Sequence, residues 1–323
     1  MVADPQESDP SPVQSTLHPQ VHHSNLGEGD DLQTTILATG ITFITISLIV
    51  VIIRLGTRLK LSRTLHLDDC LCLMGEVVGV ALWVVEYELT VKPGLAKHSW
   101  DVDTSTLTTS ELKAMVSLLI LMPIANGLAK AAILRFFFQL FGTLRWVRLV
   151  CYSLFATTVV LYAGYEIAIL AICIPNSGES WDATVLLRIN KVLEPTVTLG
   201  VYNVIIDVAM FVLPLLVVAR LHMQPERKRG VAFVFFLGLL IVVTSVVGLV
   251  YRIIIAMPST VDKLWNETNV SITGYAEMFG TVIVSCAPAL YTFWTKIVSK
   301  SRLYSRLRGS GPDKAGGIAL EPW

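Results

Sequence analysis

The chain has 323 residues, 53% of them hydrophobic and 15% charged, and its 25 Lys/Arg balance its 25 Asp/Glu. An ordinary soluble domain is about 25% charged, so the composition excludes one. A net charge of zero excludes a general electrostatic pull toward nucleic acid.

In chain order, residues 1–33 form a polar, acidic stretch with Pro5, Pro10, Pro12 and Pro19 and no Lys or Arg. It lacks the basic start and short apolar core of a signal peptide. Its low hydrophobicity is that of a disordered extracellular tail. His22 and His23 are a weak metal signal, and no metal site is expected.

Seven apolar blocks follow, at 34–53, 69–91, 112–138, 147–173, 198–219, 231–256 and 272–295. Blocks of about 18 residues or more are expected to span a bilayer. Lipid offers backbone N–H and C=O no partner, so the blocks are expected to be helices. The expected fold is all-α, a seven-helix membrane domain over residues 34–298. A basic and then disordered cytoplasmic tail is expected over 299–323.

Charge sets the expected orientation. Of the Lys and Arg residues, 17 fall in the loops on one side, six on the other, and Lys130 and Arg252 inside apolar blocks. Positive residues stay cytoplasmic, so the N-terminus is expected outside and the C-terminus in the cytosol. The triplets Asn266-Glu267-Thr268 and Asn269-Val270-Ser271 then lie in an external loop and are candidate glycosylation acceptors. The long external loops 92–111 and 174–197 are expected to cap a pocket. Of five cysteines only Cys173 is near the outer face, so no intrachain disulfide is expected there. Cys70 and Cys72 are expected as apolar fillers.

The stretch TLHLDDCLCLMG (64–75) sets Asp68 and Asp69 at the start of the second block. Aspartate is a strong N-cap, and negative charge there meets the positive end of the helix dipole. Arg54 and Arg58, one helical turn apart, are placed to pair with them across a short loop. A cap and an ionic staple account for all four residues.

The segment IIRLGTRLKLSRTLHLDDCLCLMG (52–75) also resembles the first cytoplasmic loop of the fungal rhodopsin-domain membrane proteins. GLAKH (94–98), LAKAAILRFFFQLF (128–141), CIPNSGESWDA (173–183), NVIIDVAMFVLPLLVVARLHM (203–223) and YAEMFGTVIVSCAPAL (275–290) resemble later pieces of the pattern, in order. His66 stands where the family has Gly, and no second Cys follows Trp181. The resemblance implies a seven-helix, receptor-like integral membrane protein. Family members are fungal, and many are encoded beside secondary-metabolite genes.

Ionisable residues at membrane depth are costly and mark candidate sites. Glu76, Glu166, Asp207 and Glu277 are the candidate acids. Asn203 and Asp207 share a face of the fifth block, and with Arg252 and Glu277 they are the ligand-pocket candidates. Three readings stay open. Arg252 pairs with Glu277 or Asp207 to fix packing, or these residues line a pocket for a small or lipophilic ligand, or one carboxylic acid protonates a lipophilic substrate as in a cyclase or isomerase. A purely accessory membrane role is a fourth. Lys130 is expected to be an anchor that snorkels toward the cytoplasmic face.

No retinal or other cofactor is expected, because Lys296, at the cytoplasmic end, follows the last block and no lysine lies inside it. Expected partners are the bilayer, a small lipophilic ligand and a cytoplasmic signalling protein, at the plasma membrane or an endomembrane. Soluble-enzyme motifs such as G-x-S-x-G and H-E-x-x-H do not occur. Pro123, Pro214 and Pro288 are expected to kink three of the helices and help open a cavity.

Overall fold

The computed structural model describes residues 31–295, apart from 62, 65, 92–94, 103–106, 177–178, 183 and 221–224. The expected tails, but for 31–33, lie outside the described residues, as do His22, His23 and Lys296.

The described elements are helical. They are α1 (Gln33–Leu61), α2 (Leu67–Glu86), α3 (Thr109–Phe141), α4 (Arg145–Cys173), the short α5 (Thr184–Lys191), α6 (Leu193–Arg220), α7 (Pro225–Ala256), α8 (Lys263–Ser285) and α9 (Ala287–Phe293). A π-helical turn, Tyr87–Val91, extends α2, and a 3-10 turn, Ser99–Asp101, lies before α3. Pro123 and Pro214 sit inside α3 and α6.

Six helices, α1, α2, α3, α4, α6 and α7, are long and apolar enough to cross a membrane. Ile52, Val77, Val160 and Ile167 on their outer faces are more than half exposed, as a lipid-facing surface requires. α8 is more polar, with Lys263, Asn266, Glu267, Asn269 and Glu277 along it. Its apolar residues point inward: Tyr275, Met278, Phe279 and Val282 are buried, and it packs on α1, α3 and α7.

Here the boundaries read from hydropathy are corrected. The expected block 272–295 is not one helix. α8 starts at Lys263, capped by the Asp262 carboxylate, and ends at Ser285. The chain turns at Cys286, and Pro288 falls in the first turn of α9, where a missing N–H is not needed. Hydropathy missed the first turns of α8 because polar side chains that face other protein look like loop in a one-dimensional profile.

α3 is the axis of the bundle. It touches α2, α4, α6 and α8 and contributes to all three apolar clusters, with Ala129, Leu134 and Val116 among its members. Small residues let α2 approach it: a Cβ added at Gly75 would lie 3.6 Å from the Ala129 backbone nitrogen. Close backbone approach through small residues is how helices pack where lipid supplies no hydrophobic drive. Thr108 and Glu111 cap the start of α3, the Thr108 N–H donating to the Glu111 carboxylate at 2.7 Å.

The staple expected at the start of α2 is present, with one change. Neither aspartate is the N-cap; His66 is, and its N–H donates to Asp69 Oδ2 at 3.1 Å. Asp69 thus occupies the third helical position, where a carboxylate reaches back to the cap. Arg54 Nη2 lies 2.5 Å from Asp68 and Nε 2.7 Å from Asp69, and Nη1 donates to the Ser285 carbonyl at 2.5 Å. Gln139 of α3 donates to Asp68 at 2.8 Å. Arg58 stands further off, at 3.6 and 3.8 Å. One buried guanidinium therefore joins α1 to α2 and α8, with α3 held through Asp68.

Removing one partner of a buried ion pair costs about 3–5 kcal/mol, because the other is left charged and unpaired. Arg54→Gln is expected to collapse the folded fraction, read as the monodisperse peak surviving a heat step on size-exclusion chromatography. Arg54→Lys is expected to rescue little, since an ammonium lacks the planar fork that serves three acceptors. Wild-type heat resistance of Arg54→Lys would contradict this.

Candidate functional site

The end of the bundle where α1 begins is its Gln33 end. Deep in the bundle α3 presents Lys130, α6 presents Asp207 and α8 presents Glu277, all buried. The Lys130 ammonium donates to Asp207 and lies 3.0 Å from Glu277. This corrects two expectations. Lys130 is not a snorkelling anchor but is fully enclosed, and it, not Arg252, is the partner of Asp207 and Glu277. Position along a helix gives depth but not which neighbour the side chain faces.

One turn nearer the Gln33 end, Asn126 precedes Lys130 on α3 and Asn203 precedes Asp207 on α6. Tyr162 of α4 donates its hydroxyl to Asn203 Oδ1. Above these two amides opens a cavity of about 440 Å³. Its floor includes Asn126 and Asn203, and its walls include Met115, Leu118 and Leu119 of α3 and Leu264 of α8. Both long connections contribute to its roof, as expected, through Leu95 and Ser99 of the first and Leu186 and Ile189 of α5 in the second.

Arg252 of α7 lines this cavity. It is 9% exposed, and among the described residues its guanidinium makes no ion pair or hydrogen bond. Two glycines make room for it. A Cβ at Gly200 would lie 3.1 Å from Arg252 Cδ, and one at Gly248 would lie 3.3 Å from Nη1. Asn126 Oδ1 is also buried without a hydrogen-bond partner.

The roof is tied down at α8. His98 Nδ1 sits 2.6 Å from Asp262, with its ring stacked between Trp100 and Trp265 at 4.5 and 4.2 Å. Ser99 donates its N–H to the same carboxylate and accepts from the Leu264 N–H, each at 2.9 Å. Lys263 donates to Asn190 of α5 at 2.9 Å.

Of the four candidate acids, none lines the cavity. Glu76 accepts from Ser47 of α1 at 2.8 Å, between α1 and α2. Glu166 lies on α4, its oxygens buried and, among the described residues, without hydrogen-bond partners. Asp207 and Glu277 are held by Lys130. Of the four pocket candidates, Asn203 and Arg252 line the cavity, and Asp207 and Glu277 do not. The carboxylates that do line it, Glu86 and Glu267, were missed, as was Asn126. Glu86 accepts from Thr90 at 2.7 Å and from Ser271 at 3.2 Å. The signal for Glu267 was hidden inside a glycosylation triplet. Asn266 and Asn269 occupy the first turns of α8, not a loop, and donate to the Asp262 and Trp265 carbonyls.

The family model described as Fungal rhodopsin domain matches residues 53–296. The chain belongs to the fungal rhodopsin-domain family. A SAT4 family membrane protein of Emericella nidulans is 29% identical over 141 residues, which is 43% of this chain. The match spans about a third, 34%, of that relative's length. No solved structure matches the chain. With six apolar helices and this family, it is a multi-pass membrane protein. Lys296, on which the expectation about retinal rested, lies outside the described residues. Among the described lysines, Lys130 is enclosed by two carboxylates, and Lys263 lines the cavity and donates to Asn190.

Two predictions follow from this geometry. Lys130→Met is expected to destabilise the protein by about 3–5 kcal/mol, and adding Asp207→Asn is expected to recover part of the loss. Thermal unfolding of both variants in nanodiscs checks this, and strictly additive losses would contradict a direct pair. The second concerns the segment that carries α5. The Arg188 guanidinium at 2.5 Å holds the Glu179 carboxyl below its ordinary range, and bonds from the Thr184 hydroxyl and N–H do the same for Asp182. A depressed carboxyl stabilises above the ordinary carboxylate range and loses that effect as pH falls through it. A spin label at exposed Leu187 is therefore expected to gain mobility as pH drops below about 4; constant mobility would contradict this.

Proposed function

We propose that this protein is a receptor-like binder of a small or lipophilic ligand, with α8 as its seventh span and its Gln33 end outside. The 23 residues of α8 rise about 35 Å, enough for a hydrocarbon core of about 30 Å. The one-sided distribution of Lys and Arg supports the orientation. An odd number of spans then leaves the basic loops and C-terminal tail in the cytosol, where a signalling partner would dock. The family resemblance supports an association with secondary metabolism.

The observation that carries the binding reading is the 440 Å³ cavity at the Gln33 end, apolar in its walls and polar at a few points. That is the usual make-up of a small-molecule site. The paired charges beneath it close its floor. None of the four candidate acids reaches the cavity, so an acid-catalysed reaction there, the second reading, would have to use Glu86 or Glu267.

The test is a thermal-shift screen of lipophilic small molecules on the protein in nanodiscs, repeated with Leu119→Trp to fill the cavity. Ligands are expected to protect the wild type in proportion to concentration, to lose that effect on Leu119→Trp, and to be recovered chemically unchanged. Equal protection of both proteins would contradict the cavity as the site. Conversion of the bound molecule would favour the enzyme.

A further inference from the structure

The charges around the cavity are not equally engaged. Four charged side chains line it: Arg252, Lys263, Glu86 and Glu267. Glu86 is bonded to Thr90 and Ser271, and Lys263 to Asn190. Glu267 is half-buried and lies one turn from Lys263 on the same helix. Arg252 is left with five N–H donors and no hydrogen bond or ion pair among the described residues, at 9% exposure. Glu267 attracts it through space but bonds to none of its donors among the described residues, and a buried guanidinium with unmet donors is costly. The unbonded donors of Arg252, facing the cavity, are therefore a seat for an anion.

The same surroundings limit what that anion can be. Two carboxylates on the α2 and α8 side disfavour a multiply charged group such as a phosphate monoester. Much of the cavity wall is apolar, including Met115, Leu118 and Leu119 of α3. A planar guanidinium pairs best with a planar carboxylate, through two parallel hydrogen bonds.

We propose that the ligand is a hydrophobic monocarboxylic acid, its carboxylate on Arg252 and its apolar body along the α3 wall. This rests on the reading of the cavity as a ligand site. Glu267 sets the sign of the discrimination, repelling the acid's head if it turns toward α8.

Matched probes test it: naphthylacetate, naphthylethanol and naphthylethylamine, with decanoate as a straight-chain acid. Each is titrated calorimetrically into the full chain in nanodiscs, with empty nanodiscs as the partition control. At least one acid is expected to bind about tenfold or more tighter than the alcohol, with the amine weakest. Which acid wins separates a fused-ring ligand from a lipid-like one. Arg252→Gln is expected to bring the acids down to the alcohol's level. Glu267→Gln is expected to tighten acid binding several-fold, a gain that a misfolded variant cannot produce. Tightest binding by the amine, or equal binding of all three naphthyl probes, would overturn the proposal. If other molecules bind in a manner blocked by Leu119→Trp but no acid does, the carboxylate class fails while the cavity stands. If nothing binds in that manner, the cavity reading fails with it.

Discussion

A charge that cannot reach water must be neutralised inside the protein, and this constraint organises the bundle. It is met at two levels. Near the end of α1, Arg54 holds Asp68, Asp69 and the Ser285 carbonyl. Deeper in, Lys130 holds Asp207 and Glu277. The first cluster joins α1, α2, α3 and α8, and the second joins α3, α6 and α8. Both rest on α3 and α8, and α3 also supplies all three apolar clusters. Two ionic layers on shared helices leave the Gln33 end as the part free to part and form a cavity.

The two arginines and one lysine at depth show how context sets a role. Arg54 and Lys130 are saturated by carboxylates, so they hold structure together. Arg252 is also buried, though less completely, and lies in the space left by Gly200 and Gly248, facing an open cavity. The difference lies in the neighbours, not in the residue type. Buried ion pairs are weak contributors to net stability but costly to break, which suits them to fixing which helices meet.

Much of the fold was legible in the sequence. Apolar runs marked α1 to α4, α6 and α7, because each presents a broad apolar face to lipid. α8 was misjudged at both ends, because its polar residues face other helices and Cys286 breaks a continuous apolar block. The Arg54 staple was readable because its partners lie a short loop away. The Lys130 cluster was not, since its members are 77 and 147 residues apart along the chain and only tertiary packing brings them together. Asn203 and Asp207 were correctly placed on one face, yet one turn of depth divides them between cavity floor and ion cluster. Glu86 and Glu267 were overlooked because each sits near a helix end, where an acidic residue draws no notice.

We propose that the cavity at the Gln33 end, with the ionic layer below it, is water-accessible and opens to the outside. Single cysteines along α6 test it most directly, labelled in intact cells with a membrane-impermeant maleimide in a background lacking exposed Cys70. Cysteine at Thr196 or Gly200, which line the cavity, is expected to react from outside, and cysteine at Met210 or Leu213, beyond the Lys130 layer, is not. Equal labelling above and below that layer, or labelling only after the cells are opened, would contradict the account.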